Sequence, residues 1–301
     1  MTSIEKRVAT GLTMVVILAS VHVSRLPHGR LVVDFLDVRQ GDSILLSLPT
    51  GERVLVDGGP EQKVLEELGE VMPFLDRRID LMVLTHPHAD HVMGLVQVLK
   101  RYEVKAVLFS GVNYESSIYE AFLAEIRRQG IPLTVAMADR DFFMRDVAFD
   151  VLFPFESMLG DTLSNVNNGS VVMKVTYGLH TILLTGDAEV DVEADLSEAH
   201  DRGEIDLKSE VMKAGHHGSH TASSPAFLDR VQPEVVVIQS GVDNPFEHPR
   251  PETLRHLRER DIEVWRNDLQ GRVRIIFWRV IDQSTRSILA PKARKVSSSR
   301  S

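Results

Sequence analysis

Short apolar runs alternate with amphipathic stretches along the chain and predict a mixed α/β fold. Near the amino terminus, apolar runs bounded by turn-forming residues indicate strands at Leu31–Leu36, Ser43–Leu48 and Arg53–Val56. Helical patterns follow at residues 61–69, 91–101 and 116–129, and further strand patterns lie at 79–85, 106–109, 171–177, 181–184, 210–214, 234–239 and 271–280. Because two hairpin-like regions lie far apart, we predict two sheets covered by helices within one domain.

The two ends of the chain depart from this pattern. Lys6 and Arg7 precede an uncharged apolar run at residues 8–24, which is typical of a secretory signal or signal anchor. A bilayer span needs about 20 residues, so a buried first helix is an alternative for this shorter run. We therefore predict a signal-anchor-like segment at 1–26, a folded domain at 27–282 and a basic, disordered tail at 283–301. The anchor implies an extracytoplasmic protein, membrane-anchored or secreted, and a cytoplasmic location stays open.

Composition narrows the chemistry. There is no cysteine, which excludes disulfides and thiolate metal ligands. The net charge of −9 argues against a broadly basic surface for nucleic acid, but the charge is uneven. Residues 248–301 hold 13 Lys and Arg against 6 Asp and Glu, a net +7, which leaves −16 for the rest. This basic carboxyl-terminal part could contact phosphates or could simply be solvated.

Residues 85–91 read T-H-P-H-A-D-H and hold three imidazoles and a carboxylate within six positions. They follow an apolar strand pattern, and Pro87 then takes the chain out of the sheet before a helix. Ligand groups thus gather at the carboxyl end of a strand, where open α/β sheets place their sites. Neutral imidazole and carboxylate suit Zn, Fe or Mn. We therefore predict a metal site that draws on His86, His88, Asp90 and His91.

Other strands also end in polar groups with ligand chemistry. Residues 181–187 read T-I-L-L-T-G-D, and the two oxygens of Asp187 could bridge two cations. Residues 211–220 read V-M-K-A-G-H-H-G-S-H, a second strand-to-loop passage rich in imidazoles. Asp57 ends the third strand and could orient a ligating histidine, or could form a turn before Gly58 and Gly59.

The order strand-DGG, H-x-H-x-D-H, strand-TGD, strand-GHHGS resembles the metallo-β-lactamase superfamily over residues 31–280. The resemblance implies an αβ/βα four-layer sandwich with one or two metal ions, Zn or Mn, at the mouth between the sheets. The ligands that it implies are His86 and His88 for the first metal, Asp90 and His91 for the second, and Asp187 between the two.

The resemblance does not decide whether His216 or His217 is the remaining ligand of the second metal. We favour His216 because it directly follows Gly215 at the strand end. Many superfamily members also have a third histidine for the first metal, shortly before the TGD strand. Here residues 165–170 read N-V-N-N-G-S instead, and Asn167 is expected to support the site from this segment.

An Asn-x-x-Ser segment, TGD and K-x-x-H-H-G-S together resemble the carboxyl-terminal domain of ComEC-type competence proteins, the channels for DNA uptake. Residues 35–43 (F-L-D-V-R-Q-G-D-S), 247–249 (E-H-P) and 266–271 (R-N-D-L-Q-G) resemble that family as well. Arg39 departs from it, because the family usually has glycine at this position. The resemblance implies a phosphodiesterase or nuclease linked to DNA uptake. Its expected partners are DNA, a membrane and an uptake channel, and its oligomeric state is open.

In such a site two cations would hold a bridging water and lower its pKa from 15.7 towards about 7, so that hydroxide attacks the substrate. Asp90 would ligate and orient the nucleophile, while Lys213, His220 and His248 would contact substrate or protonate the leaving group. Ser219 would assist, although Ser219 and Lys213 could equally be solvated loop residues and His248 could cap a loop. Two other functions stay open: hydrolysis of a small phosphodiester, lactam or thioester, and a non-catalytic metal-binding module on an anchor.

Overall fold

The computed structural model of the chain describes residues 3–24, 29–74 and 76–279. Its strands are β1 (Arg30–Phe35), β2 (Ile44–Ser47), β3 (Arg53–Val56), β4 (Arg78–Ile79), β5 (Leu81–Leu84), β6 (Glu103–Val104), β7 (Val107–Phe109), β8 (Leu133–Val135), β9 (Phe142–Met144), β10 (Val147–Phe153), β11 (Val172–Tyr177), β12 (His180–Leu184), β13 (Val211–Lys213), β14 (Val235–Ile238), β15 (Glu263–Arg266) and β16 (Val273–Trp278). Its helices are α1 (Ser3–Ser24), α2 (Lys63–Val71), α3 (Ala89–Leu99), α4 (Ser117–Gln129), α5 (Val190–Asp201), α6 (Pro225–Val231), α7 (Pro251–Arg258) and α8 (Asn267–Gln270), with 3-10 turns at Val166–Gly169 and Gly215–Gly218.

The strands of the described residues form two seven-stranded sheets and a small ribbon of β4 and β6. The first sheet has the order β16-β1-β2-β3-β5-β7-β8, and the second has the order β15-β14-β13-β12-β11-β10-β9. In the first sheet, β16 and β1 to β3 pair antiparallel, whereas β3, β5, β7 and β8 pair parallel. In the second, β9 to β12 pair antiparallel and β12 to β15 pair parallel. Each sheet therefore has one half in which neighbouring strands end at the same edge.

Apolar side chains divide into three buried layers. One layer consists almost entirely of strand residues from both sheets, such as Val33, Phe149 and Val175, and so lies between the sheets. A second joins the outer face of the first sheet to α2, α3 and α4, and a third joins the outer face of the second sheet to α5, α6 and α7. Apolar burial on both faces of each sheet gives the order helix, sheet, sheet, helix. The predicted αβ/βα sandwich is confirmed.

The helices that cover the parallel halves begin and end where local chemistry favours it. Helix α6 has Ser224 at its amino-terminal cap, whose hydroxyl accepts a hydrogen bond from the Phe227 amide, and Pro225 in its first turn. Helix α4 ends at Gly130, which takes the left-handed conformation that glycine adopts without strain. Ser224 therefore fixes where α6 begins, and Gly130 fixes where α4 ends and the chain returns to the sheet.

The apolar amino-terminal run forms α1, and its described side chains are exposed; Leu12, for example, is 66% exposed. The alternative of a buried first helix therefore does not hold for these side chains. Among the described residues, no helix combines the length and the apolar character needed to cross a bilayer. The signal-anchor segment and the domain division at 27–282 stay predictions, and the predicted disordered tail at 283–301 lies outside the described residues.

Candidate metal centre

Four parallel strands, two from each sheet, end next to one another and carry the ligand groups. Asp57 directly follows β3, and the H-P-H-A-D-H segment follows its neighbour β5 after Thr85. In the second sheet, Asp187 follows β12, and the turn with His216 and His217 follows its neighbour β13. The sheets face each other, so these strand ends meet across the mouth of the sandwich.

The centre of the site is a set of four side chains with converging ligand atoms. The Nε2 atoms of His91 and His217 each lie 3.2 Å from Asp187 Oδ2, and His217 Nε2 also lies 3.2 Å from Asp90 Oδ2. Both Nε2 atoms are buried, and neither has a partner with hydrogen-bond geometry among the described residues. Nitrogen and carboxylate oxygen atoms that approach without hydrogen bonding to each other are what a metal ligand set requires, so these residues fit a divalent cation.

The electrostatics of this centre favour a positive charge. Burial alone would lower the pKa of His91, but the carboxylates of Asp187, Asp57 and Asp90 outweigh burial and raise that pKa well above its usual value. Burial likewise opposes ionisation of Asp187, yet His217, His91 and Lys213 hold its pKa well below the usual range. The carboxylates therefore stay ionised in the interior, where an added cation is stabilised.

The ring of His91 is held from behind by Asp57. His91 Nδ1 donates to Asp57 Oδ2 over 2.8 Å, and Asp57 also accepts from the backbone amide and hydroxyl of Thr85, at 2.8 and 2.7 Å. Because Nδ1 is engaged in this way, Nε2 is the atom that points into the site. Asp57 is fully buried and its φ is +57°, so it ends the strand and orients the histidine at the same time.

Asp42 is a site residue that the sequence analysis did not select. Its Oδ1 lies 3.1 Å from His217 Nδ1 without hydrogen-bond geometry, so its contact with the ring is one of charge. The ring of His217 is held instead by the Gln239 carbonyl, which accepts from Nδ1 at 3.0 Å. Asp42 belongs to the F-L-D-V-R-Q-G-D-S stretch that carried the family resemblance. Its place directly after a glycine turn, at the start of a buried strand, is the feature that could have identified it.

Lys213 lies beneath the centre and is fully buried, so it is not a solvated loop residue. Its ammonium contacts a carboxylate oxygen of Asp42 and donates to the Gly186 carbonyl at 2.6 Å and to Asp187 Oδ1 at 3.2 Å. Burial would lower the pKa of Lys213, but the two carboxylates raise it above the usual value. Lys213 therefore acts as a fixed positive charge below the ligands, and its contacts are with the protein.

His86 and His88 form a second set of possible ligands beside the first. His86 Nε2 lies 3.0 Å from His88 Nδ1, and His86 Nδ1 lies 3.3 Å from the Ser170 hydroxyl. Burial, together with the charge of His91, lowers the pKa of His86 well below its usual value, so this ring is neutral. In the described residues, the groups with ligand atoms within 4.8 Å of one another are His86-His91-Asp187, Asp90-His91-His217, Asp42-Asp57-His91 and Asp42-Asp187-His217.

His216, which we favoured as a ligand, points to a different partner. Its Nδ1 lies 2.9 Å from Glu189 Oε1, and its Nε2 lies 3.9 Å from Asp187 Oδ2. Asn165 and Asn167 each donate a side-chain hydrogen bond of 2.9 Å to the same Glu189. The geometry therefore favours His217 over His216 as the ligand, and Asn167 acts on the site through Glu189.

The remaining predicted residues lie at or beyond the rim. The His248 ring is 5.5 Å from that of His216 and 6.3 Å from that of His217. Burial, followed by the charges of His217 and His216, lowers the pKa of His248 to about 4. The Ser219 hydroxyl is hydrogen-bonded to Thr221 within its own turn, and the structure brings the exposed His220 into no side-chain hydrogen bond within the described chain.

A family model described as "Metallo-beta-lactamase superfamily" matches residues 36–241, about two thirds of the chain. The chain belongs to the metallo-beta-lactamase superfamily. Membership and the ligand cluster together make it a metal-dependent hydrolase of this superfamily. The predicted resemblance is thereby confirmed at the level of the superfamily.

Curated relatives confirm the resemblance to competence proteins. Recombination protein 2 of Haemophilus influenzae is 32% identical over 267 residues, which cover 86% of this chain and 31% of the relative. ComE operon protein 3 of Bacillus subtilis is 29% identical over 258 residues, with 80% and 32% covered, and competence protein ComA of Neisseria gonorrhoeae is 29% identical over 249 residues, with 81% and 32% covered. The chain thus spans about a third of the length of these relatives.

Solved structures share the fold at low sequence identity. The metallo-beta-lactamase fold protein YhfI of Bacillus subtilis matches with a TM-score of 0.51 and 12% identity, over 78% of this chain and 95% of that one. CmlA of Streptomyces venezuelae, a diiron beta-hydroxylase, matches with a TM-score of 0.53 and 16% identity, over 82% of this chain and 54% of that one. At such identities the likeness concerns the fold alone, since one fold serves different chemistries.

Proposed function

We propose that the chain is a metal-dependent phosphodiesterase that cleaves DNA in connection with DNA uptake. The observation that carries the proposal is the convergence of Asp90, His91, Asp187 and His217, in which two buried imidazole nitrogens lie 3.2 Å from carboxylate oxygens and have no hydrogen-bond partner in the described part of the chain. The competence relatives support DNA as the substrate. The net charge of −9 opposes approach to a polyanion, and a bound cation would offset it locally.

Two groups of side chains would hold the metal. Asp90, His91, Asp187 and His217 would hold one Zn or Mn ion. His86 and Asp187, whose ligand atoms form a group with His91, would hold a second ion, and His88, whose Nδ1 lies 3.0 Å from His86 Nε2, would join them. A bound divalent cation supplies Lewis acidity to a phosphoryl oxygen and makes a water molecule at the site more acidic. Side chains of the protein would orient the ligands, balance the charge and position the water and the substrate.

Within the proposed mechanism, each buried side chain has a separate task. Asp57 fixes the ring of His91 and the Gln239 carbonyl fixes that of His217, so that both Nε2 atoms face inward. Lys213 balances part of the negative charge that the carboxylates concentrate there. Asp90 has 32% of its side chain exposed and is the carboxylate that can accept a hydrogen bond from a water molecule and orient it towards phosphorus.

His248 would contact the substrate at the rim. With a pKa of about 4 it is neutral near pH 7, so it offers the substrate a hydrogen bond and no positive charge.

We further propose that the protein works outside the cytoplasm, beside a membrane and a DNA-uptake channel. The basic and apolar pattern of residues 1–26 and the names of the competence relatives support that location.

Cleavage of DNA by the purified chain tests the proposal. The chain is stripped with a chelator, Zn or Mn is restored, and cleavage of labelled single-stranded and duplex DNA is followed. We expect metal-dependent cleavage that falls at least about 100-fold in Asp90→Ala, while Asp195→Ala, which removes an exposed carboxylate from α5, keeps full activity. Stoichiometric metal binding without cleavage of either DNA would reject the nuclease, and the same preparation would then be assayed on small phosphodiesters, lactams and thioesters.

A further inference from the structure

Two aromatic side chains outside the ligand set stand at opposite ends of the metal centre. They belong to a continuous series of neighbouring rings across the mouth of the sandwich. The successive ring-centroid distances are 5.8 Å for Phe246–His248, 6.3 Å for His248–His217, 5.3 Å for His217–His91, 4.1 Å for His91–His86, 4.7 Å for His86–His88 and 5.5 Å for His88–Tyr114. The ligand histidines are therefore flanked by a phenyl ring on one side and a phenol ring on the other.

Phe246 is 54% exposed although it is a large apolar side chain. Its ring lies close to parallel with that of His248, at an interplanar angle of 28°. An exposed phenyl ring contributes little to folding, because most of its surface stays in water. A ring in this position, next to candidate ligands, is available to an aromatic group of a substrate.

The loop that carries Phe246 is held firmly. Asn244 donates to the carbonyls of Gly241 and His248, at 2.9 and 2.6 Å, and accepts from the His248 amide at 2.9 Å. The Gly241 amide donates to Gln40 Oε1 at 3.2 Å, which ties the loop to the turn that precedes Asp42. A ring presented on such a loop is oriented before binding, so little conformational entropy is lost when a ligand stacks on it.

Charge alone does not explain how this rim would bind a nucleic acid. The same loop carries Asp243 and Glu247, and Glu247 is paired with Arg250 at 2.6 Å. A phosphate backbone gains no net attraction from these groups. Stacking of a base on an aromatic ring tolerates such surroundings and is independent of sequence, since every base has a π-face.

We propose that Phe246 is the base-stacking residue of the site. The inference rests on the proposed phosphodiesterase function and names the part of the substrate that the protein grips. Because a base must be unstacked to meet Phe246, the contact is made with an unpaired nucleotide.

Kinetics on two matched substrates test Phe246. The substrates are a labelled single-stranded oligonucleotide and the same oligonucleotide with an abasic position beside the scissile phosphate. We expect Phe246→Ala to raise KM on the first about 10-fold or more with little change in kcat, because stacking is a binding contact. Phe246→Trp should keep KM low, and on the abasic strand Phe246→Ala and the unchanged protein should have the same KM.

The control and the contrary outcomes are equally specific. Phe143→Ala removes a phenyl ring that is 76% exposed on the edge strand β9 and has no contact with the ring series, so KM should not change. Equal KM values for Phe246→Ala and Phe143→Ala, or an equal rise in KM on both substrates, would overturn the stacking role.

Fluorescence anisotropy of the same strand on the chelated protein separates the stacking proposal from the nuclease proposal. Binding that weakens in Phe246→Ala, without any cleavage by the unchanged metal-loaded protein, keeps the stacking role and rejects the nuclease. Absence of both binding and cleavage, with and without metal, rejects both.

Discussion

Lys213 neutralises carboxylates that no solvent reaches. Its ammonium lies between Asp42 and Asp187, and all three side chains are at most 2% exposed. In chelated protein, Lys213→Met should lower the free energy of unfolding by about 3–5 kcal/mol, because it leaves buried carboxylates without a counter-charge. Urea denaturation measures the loss.

Lys174→Met is the matched control for that substitution. Lys174 is also buried, but its partner Asp206 is 64% exposed and returns to water when the ammonium is removed. We expect a loss of about 1 kcal/mol or less for this variant. Equal losses for the two variants would mean that the ammonium of Lys213 has no special electrostatic role beneath the site.

Arg39 has a backbone conformation that suits glycine. Its φ is +72°, in the left-handed region, and its side chain is 71% exposed with a single loose ion pair to Glu61 at 3.7 Å. Arg39→Gly should therefore raise the free energy of unfolding by about 1 kcal/mol, since the loss of left-handed strain outweighs a weak surface ion pair. Thermal unfolding measures the gain. Arg39→Ala keeps the Cβ atom and should give no gain; a gain as large as that of glycine would point to the side chain instead of the backbone.

Single residues of the site differ in how far the sequence alone could predict them. The ligand histidines follow apolar strand patterns closely, so local sequence places them at strand ends. Asp42 has no such cluster around it, and its position beside His217 arises from pairing of elements 175 residues apart. The choice between His216 and His217 depends on the backbone of one turn, where both residues have positive φ, and residue order cannot predict it.

At the level of elements, predictability follows burial. The strands β1, β3 and β11 are buried along almost their whole length and β12 is buried over its last three residues, and their apolar runs predicted all four within a residue or two. The edge strands β8 and β9 have three residues each and are largely exposed or half-buried, so even the apolar F-F-M of β9 is too short to form a strand pattern. Helices α6 and α7 have seven and eight residues, too few for a clear helical period.

Helix α3 reaches the site because two glycines allow a close approach. A Cβ atom at Gly94 would lie 1.9 Å from the Gly58 carbonyl oxygen, in the loop that follows Asp57. Gly94→Ala should push α3 away from that loop and with it His91, three residues earlier on the helix. We expect a loss of roughly 3 kcal/mol in unfolding free energy and weaker metal binding. Gln97→Ala on the same helix should change either quantity little, and similar effects of the two variants would argue against the close approach.

The two halves of the whole molecule meet at the metal centre. Asp57 and His86 come from the loops of the first sheet and His91 from α3, which covers that sheet, whereas Asp187 and His217 come from the loops of the second. Gln239, after β14, also donates across the interface to the carbonyls of Leu36 and Ser43, both at 3.0 Å. A cation bound by ligands from both halves would add a further link between layers that apolar packing, the Gln239 hydrogen bonds and the Lys213–Asp42 ion pair already hold together.

Metal binding should therefore stabilise the whole chain. A cation at 100 times its dissociation constant adds about 2.7 kcal/mol, which corresponds to a rise in Tm of roughly 5–10 °C for a domain of this size. Thermal unfolding of the chelated chain, titrated with Mn or Zn, measures the rise. Asp187→Asn should abolish most of it, because the Asp187 carboxylate lies 3.2 Å from the Nε2 atoms of both His91 and His217 and is the acidic ligand that the second sheet supplies. Asp195→Asn, on the exposed face of α5, should retain the full rise. If Tm rises as much in Asp187→Asn as in the unchanged chain, the stabilising cation binds away from the strand ends. The charged side chains of the cluster would then stabilise the fold without binding a metal.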